Sequence, residues 1–334
     1  MTELAFPFPA LVADIGGTNV RFALQPSAEA PLEPAVHLKT WDYPNLAEAI
    51  EAAIPSLSAK PRTVIACGAG PVEGRELKLT NAPWRIVGPE VANKIGLDQG
   101  LLLNDFEAQA LSLPILTEDW AQRIGPLAFG SKGPQVILGP GTGLGIGALI
   151  HVGARFTPLA SEACHIGFGP DTAEEWAIWP HLERSHGRVT TESVISGPGL
   201  VRVHRARLAA AGLPASEADG PAIVAAALAD RQGAEAQSLR LFWRIVGRLA
   251  GDMAVVFVAF GGVTLAGGVL PRIVDFLDEA EFRLAFEAKA PVDALARRIP
   301  TRLVTRSDSV LFGMAAIAAR PETYEIDYRQ RAWA

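Results

Sequence analysis

ALVADIGGTNVRFAL, residues 10–24, is an apolar run that stops at Asp14, passes Gly16, Gly17, Thr18 and Asn19, and resumes as a second alternating run. Val20, Phe22 and Leu24 alternate with Arg21 and Ala23, the period of a strand, so the two glycines belong to a hairpin turn and not to the start of a helix. Such a turn brings backbone N–H groups close to a bound group with no side chain in the way, and nests of amides bind phosphate. Asp14, at the end of the buried strand, is placed for a metal ion that neutralises the same phosphate, while Thr18 and Asn19 add hydroxyl and amide donors. A ligand-free Gly-Gly hairpin capped by an aspartate reads the same way, because turns use these residues for their own geometry.

A second stretch decides between the two. VILGPGTGLGIGALI, residues 136–150, is again a strand, a glycine-rich turn carrying Thr142, and a returning strand. Laying Gly17-Thr18 over Gly141-Thr142 puts Phe22 over Ile146, so one hairpin pattern is used twice. Two such hairpins suit neighbouring phosphates of one nucleotide. With an Asp at the end of LLLND (101–105) between them in sequence, the pair resembles the sugar-kinase branch of the actin-like ATPases and, more narrowly, the bacterial glucokinases. The motifs that carry the resemblance run in order over nearly the whole chain: DIGGTN at 14, LLLNDF at 101, GPGTGLG at 139, SEACHIGFGP at 161, ESVISGPGL at 192 and FGGVTLAGGVLPR at 260.

At 334 residues, 49% apolar and 20% charged, the chain is long enough for two domains with a substantial core. A net charge of −6, from 30 basic and 36 acidic residues without long runs, argues against a nucleic-acid partner and against an anionic membrane surface. Small anions are then to be held by local amides and metal. Cys67 and Cys164 are the two cysteines, far apart in sequence, so neither a disulfide framework nor a cysteine-rich zinc site is indicated, and a reducing, cytoplasmic setting is expected. MTELAFPFPA at the start has no basic stretch and two prolines, which is not the pattern of a secretory signal. Leu239 to Phe260 is strongly apolar, yet Arg240, Arg244, Arg248 and Asp252 draw a polar stripe down one face; this reads as a long buried helix, with Gly247 and Gly251 permitting a close neighbour.

In chain order, a short strand is expected before Lys39, a helix from Asn45 to Ile54, a strand from Arg62 to Cys67 and a glycine loop after it. The buried run Leu101–Leu103 stops at Asn104-Asp105, and a helix follows to Pro114. Functional groups gather beyond the carboxyl ends of such strands, which favours a catalytic Asp105 over a mere helix cap. Residues 114–133 read as a loop-and-helix connection, with the domain boundary near Leu111–Pro114. Glu162 and His165, three apart in a Gly-, Pro- and Ser-bearing loop, suit vicinal hydroxyls; two residues are too few for zinc. The other five histidines read as structural, and Trp176 and Trp179 as core. Gly197, Pro198 and Gly199 read as a turn ahead of a helix. Val263–Ala266 is a strand ending in Gly267-Gly268, Arg302–Thr305 a last strand and Val310–Ala319 an Ala-rich helix.

The resemblance implies two α/β domains of ribonuclease-H-like topology with an interdomain active-site cleft, residues 1–112 with about 305–334 forming the small domain and 113–304 the large one. It implies phosphorylation of glucose by ATP with Asp105 as general base on the 6-hydroxyl, and sugar contacts from Asn104, Asp105, Glu162, His165 and Glu192. Thr80, Asn81 and Trp84 match a T-N-x-x-W stretch near the sugar. Asp14, directly or through water, would hold Mg²⁺; Gly16, Gly17, Thr18 and Asn19 with Gly141, Thr142 and Gly143, in the hairpin that runs to Gly145, would hold the phosphates, and Gly267 and Gly268 would lie beside adenosine. The departure is Ala163-Cys164, where the family usually has Gly-Gly, which opens sugar identity to another hexose or an N-acetylhexosamine. A homodimer is the assembly expected. A dehydrogenase fits poorly, since the run after Leu138 alternates like a strand and lacks G-x-G-x-x-G; a sugar- and ATP-binding sensor would have no need of Asp105.

Overall fold

The computed structural model describes residues 5–333, with Ala160 by its backbone. The chain divides into two compact units: Met1–Thr117, Leu149–Leu159 and Arg306–Ala334 form one, Glu118–Ala148 and Ala160–Thr305 the other.

In the first unit a six-stranded sheet runs in the order Ala332–Trp333, Gln99–Asn104, Thr63–Gly68, Ala10–Ile15, Asn19–Gln25, Val36–Lys39. Its first three strands in sequence form an antiparallel meander, to which Thr63–Gly68 and Gln99–Asn104 add in parallel beside Ala10–Ile15. Short connections force the antiparallel pairs, whereas the parallel ones need the helices Leu46–Ala53 and Gly88–Ile95 as crossovers. The second sheet runs Arg155–Ser161, Leu144–Val152, Gln135–Pro140, Gly262–Leu265, Thr301–Val304, Ala121–Ile124. Three consecutive strands again lie side by side, and two later ones add in parallel. The two sheets therefore repeat one ribonuclease-H-like order, as the resemblance implied.

Register sets the first site. Ile15 pairs with Gly68 and Gly68 with Asn104, so the Gly16 turn and Asp105 leave the sheet at the same edge, the carboxyl end of its parallel strands. The apolar alternation of the hairpin buries Val20, Phe22 and Leu24 in the core, while Arg21 is left facing Asp14. The helix after Asn104 is held from its far side by the helix Ser309–Ala319, where a Cβ on Gly313 would stand 2.6 Å from that of Ser112.

In the second unit the helix Ala234–Val256 is buried as its composition predicts. A Cβ on Gly247 or Gly251 would meet the carbonyl oxygen of Phe282 or Phe286 at 2.8 and 2.2 Å, so these glycines admit the helix Glu279–Glu287 against it. The polar stripe is fully engaged: Arg244 pairs with Glu174, Arg248 with Glu175 at 3.0 Å, and Asp252 with Lys289 at 2.9 Å. Among the described residues no helix is long and apolar enough to cross a membrane.

Four expectations are corrected. The connection 114–133 contains a strand, Ala121–Ile124, which pairs antiparallel with Thr301–Val304; its four residues carry no alternation strong enough to mark it. Trp176 is 64% exposed, because the short helix Ala173–Ile178 turns Glu175 and Ile178 inward and Arg248 binds Glu175. Gly197, Pro198 and Gly199 are the first turn of the helix Gly197–Ala210, capped by Ser196, a usual place for proline. The segment 156–170, read as a loop, begins instead in the strand Arg155–Ser161, and beyond it Ala163–His165 is a single helical turn.

Candidate functional site

In the first unit the turn 16–18 has its carbonyls spoken for. The Thr40 hydroxyl donates to Gly16 O at 2.8 Å, the Trp41 indole to Gly17 O at 2.7 Å, and the Thr40 amide to Thr18 O at 2.9 Å. The Gly16 amide closes the turn on Asn19 O, which leaves the amides of Gly17 and Thr18 as its open donors among the described residues. Asn81 packs against the turn: a Cβ on Gly17 would lie 2.8 Å from Asn81 O, so glycine is required there by a backbone neighbour as well as by any ligand. Trp84 is buried and its indole donates to Tyr43 O at 2.9 Å, which makes it a core residue.

Asp14 is flanked on both sides. Arg21, its direct partner across the hairpin, grips Oδ2 through Nε at 3.1 Å and through a terminal nitrogen, and Cys67, its partner on the parallel strand, donates to Oδ1 at 3.5 Å. Burial, with the charges of Asp14 and Asp105 behind it, pushes the Cys67 thiol well up, so it stays a protonated donor. Arg21 was not singled out in the sequence, although the hairpin register alone places it opposite Asp14.

Asp105 begins the helix Asp105–Ser112, and the cap before it is Asn104. The Asn104 Oδ1 accepts from Phe106 N and Glu107 N, its Nδ2 donates to Gly70 O at 3.0 Å, and Glu107 answers the Asn104 amide to complete a capping box. Arg331 holds Glu107 through two bonds. With capping done by its neighbour, Asp105 is free for other work, and one of its oxygens accepts from the adjacent Phe106 amide at 3.0 Å. Burial pushes its carboxyl up to about 6; the charge of Asp14 adds to the rise, while the Phe106 amide, its own amide and the Asn104 side chain oppose it.

In the second unit the structure gathers Thr142, His165 and Glu192 around one concavity of about 310 Å³, which Arg188, Arg202 and His186 also line. Arg188 and Arg202 were not singled out in the sequence, and they supply local positive charge where amides and metal alone had been expected. His186, read as structural, lines this concavity. Glu192 reaches the glycine hairpin directly: its Oε2 accepts from Leu144 N at 2.9 Å, and a Cβ on Gly143 would come within 2.5 Å of that oxygen. Gly141 has open space where a side chain would stand, and its carbonyl accepts from Gly197 N at 2.8 Å. Gly267, with φ +82°, lies under Pro140 O and closes the strand end against the hairpin, while Gly268 faces open space.

Glu162 and His165 flank the turn Ala163–His165, both well exposed, with Glu162 Oε2 3.6 Å from His165 Nε2. Thr191, next to Glu192, pins this turn: its hydroxyl bonds the carbonyls of Ala163 and Cys164 at 2.8 and 2.5 Å, and its amide donates to Ile166 O at 3.1 Å. The turn that carries Glu162 and His165, together with Glu192, thus shares one bonded framework with the second glycine hairpin, whereas Asn81, Asn104 and Asp105 belong to the first unit.

Comparison with known proteins gives the chain's family. The glucokinase family model matches residues 11–321. A glucokinase of Rhizobium meliloti (strain 1021) is 40% identical over 333 residues, spanning 99% of this chain and 98% of the relative. The crystal structure of a glucokinase from an Antarctic psychrotroph superposes with a TM-score of 0.84 at 30% identity, covering 93% of this chain and 99% of that one. A glucokinase of Balamuthia mandrillaris solved in complex with glucose shares the fold, with a TM-score of 0.77 at 20% identity over 93% of each chain. Two sheets of one strand order, a glycine turn at the head of each and a match along nearly the whole length have one reading: this chain belongs to the glucokinase family.

Proposed function

We propose that the protein transfers a phosphoryl group from ATP to the 6-hydroxyl of glucose, with Asp105 as the general base. The observation that carries this reading is Asp105 itself: it stands at the carboxyl end of the parallel strands, relieved of capping by Asn104, with a carboxyl raised to about 6. A base is most effective when its pKa lies near the working pH, because it is then both ionised and basic enough to take the proton. In the transfer the hydroxyl oxygen bonds to phosphorus as its proton passes to Asp105, and the bond from phosphorus to the ADP oxygen breaks.

The remaining residues position and neutralise. Glu162, His165 and Glu192, with Asn104 and Asn81, hold the sugar hydroxyls; the amides of Gly17 and Thr18, and the hairpin from Gly141 to Gly145, receive phosphate oxygens, with Asn19 at the foot of the first turn and Gly267 and Gly268 beside the nucleoside. Arg188 and Arg202 add cationic charge in a chain of net charge −6. Asp14 suits a hydrated Mg²⁺, since each of its oxygens already has a protein partner and its side chain is 19% exposed, so water and phosphate would complete the ion's shell. When bound, that ion neutralises charge on the phosphates. Both cysteines are free thiols, which supports a reducing, cytoplasmic setting.

A panel of hexoses with ATP and Mg²⁺, read by ADP release and by phosphorus NMR of the product, tests the proposal. Glucose should be the best substrate and phosphate should appear at C6; no turnover of any sugar, or phosphate at C1, would sink it. Because Ala163-Cys164 adds side chains to the turn that presents Glu162 and His165, the panel includes other hexoses and N-acetylhexosamines, the second reading.

A further inference from the structure

A third donor, Cys164, stands between Glu162 and His165 in the sequence, and the turn sets how the three face one another. The turn Ala163–His165 brings Cys164 Sγ to 3.6 Å from Glu162 Oε2, which is itself 3.6 Å from His165 Nε2, and the three donor atoms all lie within 4.8 Å of one another. Around a tetrahedral zinc ion, bonds of about 2.3 Å to sulfur and about 2.0 Å to nitrogen or oxygen set neighbouring donors about 3.3–3.5 Å apart. Two edges of the triangle, each 3.6 Å, thus already stand near tetrahedral spacing, and the third lies within 4.8 Å, so a small turn of the exposed imidazole closes the face. The turn is built and not loose, because Thr191 fixes it through the carbonyls of Ala163 and Cys164. Glu162 and His165 are open to solvent and give an ion its path, whereas Cys164 is buried beneath them.

We propose that Glu162, Cys164 and His165 form a site for a thiophilic divalent cation of the zinc class, water completing the shell, and that the cation and the hexose exclude each other there. Binding replaces the thiol proton by the metal and releases that proton to solvent. The exclusion, unlike the site, rests on reading Glu162 and His165 as sugar ligands. The consequence is inhibition by trace zinc that sugar relieves.

Cobalt(II) is the probe, added to the full-length apoprotein without nucleotide. A thiolate-to-cobalt charge-transfer band should grow to one equivalent, be displaced by Zn²⁺, vanish in Cys164→Ala and weaken in His165→Gln, with circular dichroism unchanged in both variants. Cys164→Ala should still turn over glucose, and its half-inhibiting zinc concentration should rise by about 100-fold or more, since loss of a ligand exceeds the 10–100-fold cost of a lost outer partner. No band in the wild type, or a band that persists in Cys164→Ala and so belongs to Cys67, overturns the site. A band that saturating glucose leaves unchanged overturns the exclusion and the sugar role of Glu162 with it, while the cation site stands.

Discussion

Arg21 faces Asp14 across the first hairpin and holds one carboxylate oxygen through two of its nitrogens, while its third nitrogen donates to Ser307 O at 2.7 Å. Asp14 in turn raises the carboxyl of Asp105 by its charge. Arg21→Met uncovers that charge, so the acid limb of the rate profile should move to higher pH as Asp105 becomes harder to ionise. The pair is only partly buried, and its loss should cost about 1–2 kcal/mol. Rate profiles and denaturant melts check both; an unmoved limb separates Asp14 from Asp105 electrostatically.

Asp105 ties activity and stability together in opposite senses. Its carboxyl is raised from 3.8 to about 6 in the folded state, so the protonated form favours folding below pH 4, and that contribution fades as pH rises through about 6. Above pH 7 the ionised group is a burden of about 2–3 kcal/mol. Asp105→Asn, which keeps an acceptor for Phe106 N, should therefore lower kcat by roughly 10²–10⁴-fold while raising thermal stability at pH 8, the gain shrinking at pH 5. Wild-type kcat/KM should fall with a single-proton slope below about pH 6. An inactive variant whose gain in stability over the wild type is no larger at pH 8 than at pH 5 contradicts the raised carboxyl.

Glu192, proposed as a sugar ligand, also accepts from Leu144 N in the second glycine hairpin. Removing its carboxylate with Glu192→Ala orphans the buried Leu144 amide, which should cost about 1–3 kcal/mol and raise KM for ATP together with KM for sugar. Glu192→Gln keeps the acceptor, so KM for sugar should rise with KM for ATP nearly unchanged. Gly143→Ala pushes the carboxylate aside and should mimic Glu192→Ala, whereas Gly141→Ala meets nothing and should raise KM for ATP with no loss of stability. Steady-state kinetics with both substrates varied distinguishes these patterns.

Gly251→Ala pits two effects against each other. Helix propensity favours alanine by about 1 kcal/mol, but the new methyl would lie 2.2 Å from Phe286 O, a backbone atom that cannot swing away. Overpacking of this kind costs about 1–3 kcal/mol, so net destabilisation is the expected outcome of a urea melt; a neutral or stabilising result means the two helices slide apart freely.

Much of this molecule is written in short-range pattern. The two hairpins are visible because period-2 runs flank glycine turns, Asp105 because an apolar strand stops at a polar pair, and the buried helix because its arginines recur at every fourth residue. Contacts that join distant segments are not so written. Ala121–Ile124 is a strand through its partner Thr301–Val304, Trp176 is exposed because Arg248 claims Glu175, and Arg202 comes to the second-unit concavity from the helix Gly197–Ala210 while Arg188 comes from the segment before it. Arg21 lies between the two cases, since a hairpin's register names its partner once the turn is located.

A bare turn has as many oxygens as amide hydrogens to offer and so no preference between a cation and an anion. At residues 16–18 the choice has been made from outside, by a threonine and a tryptophan 24 positions along the chain that cover the oxygens. Polarity in this loop is thus imposed by its neighbours and not owned by its sequence: uncapping Gly17 O with Trp41→Phe would hand the same backbone a face for cations, and the discrimination between a phosphate and its counterion would begin to blur.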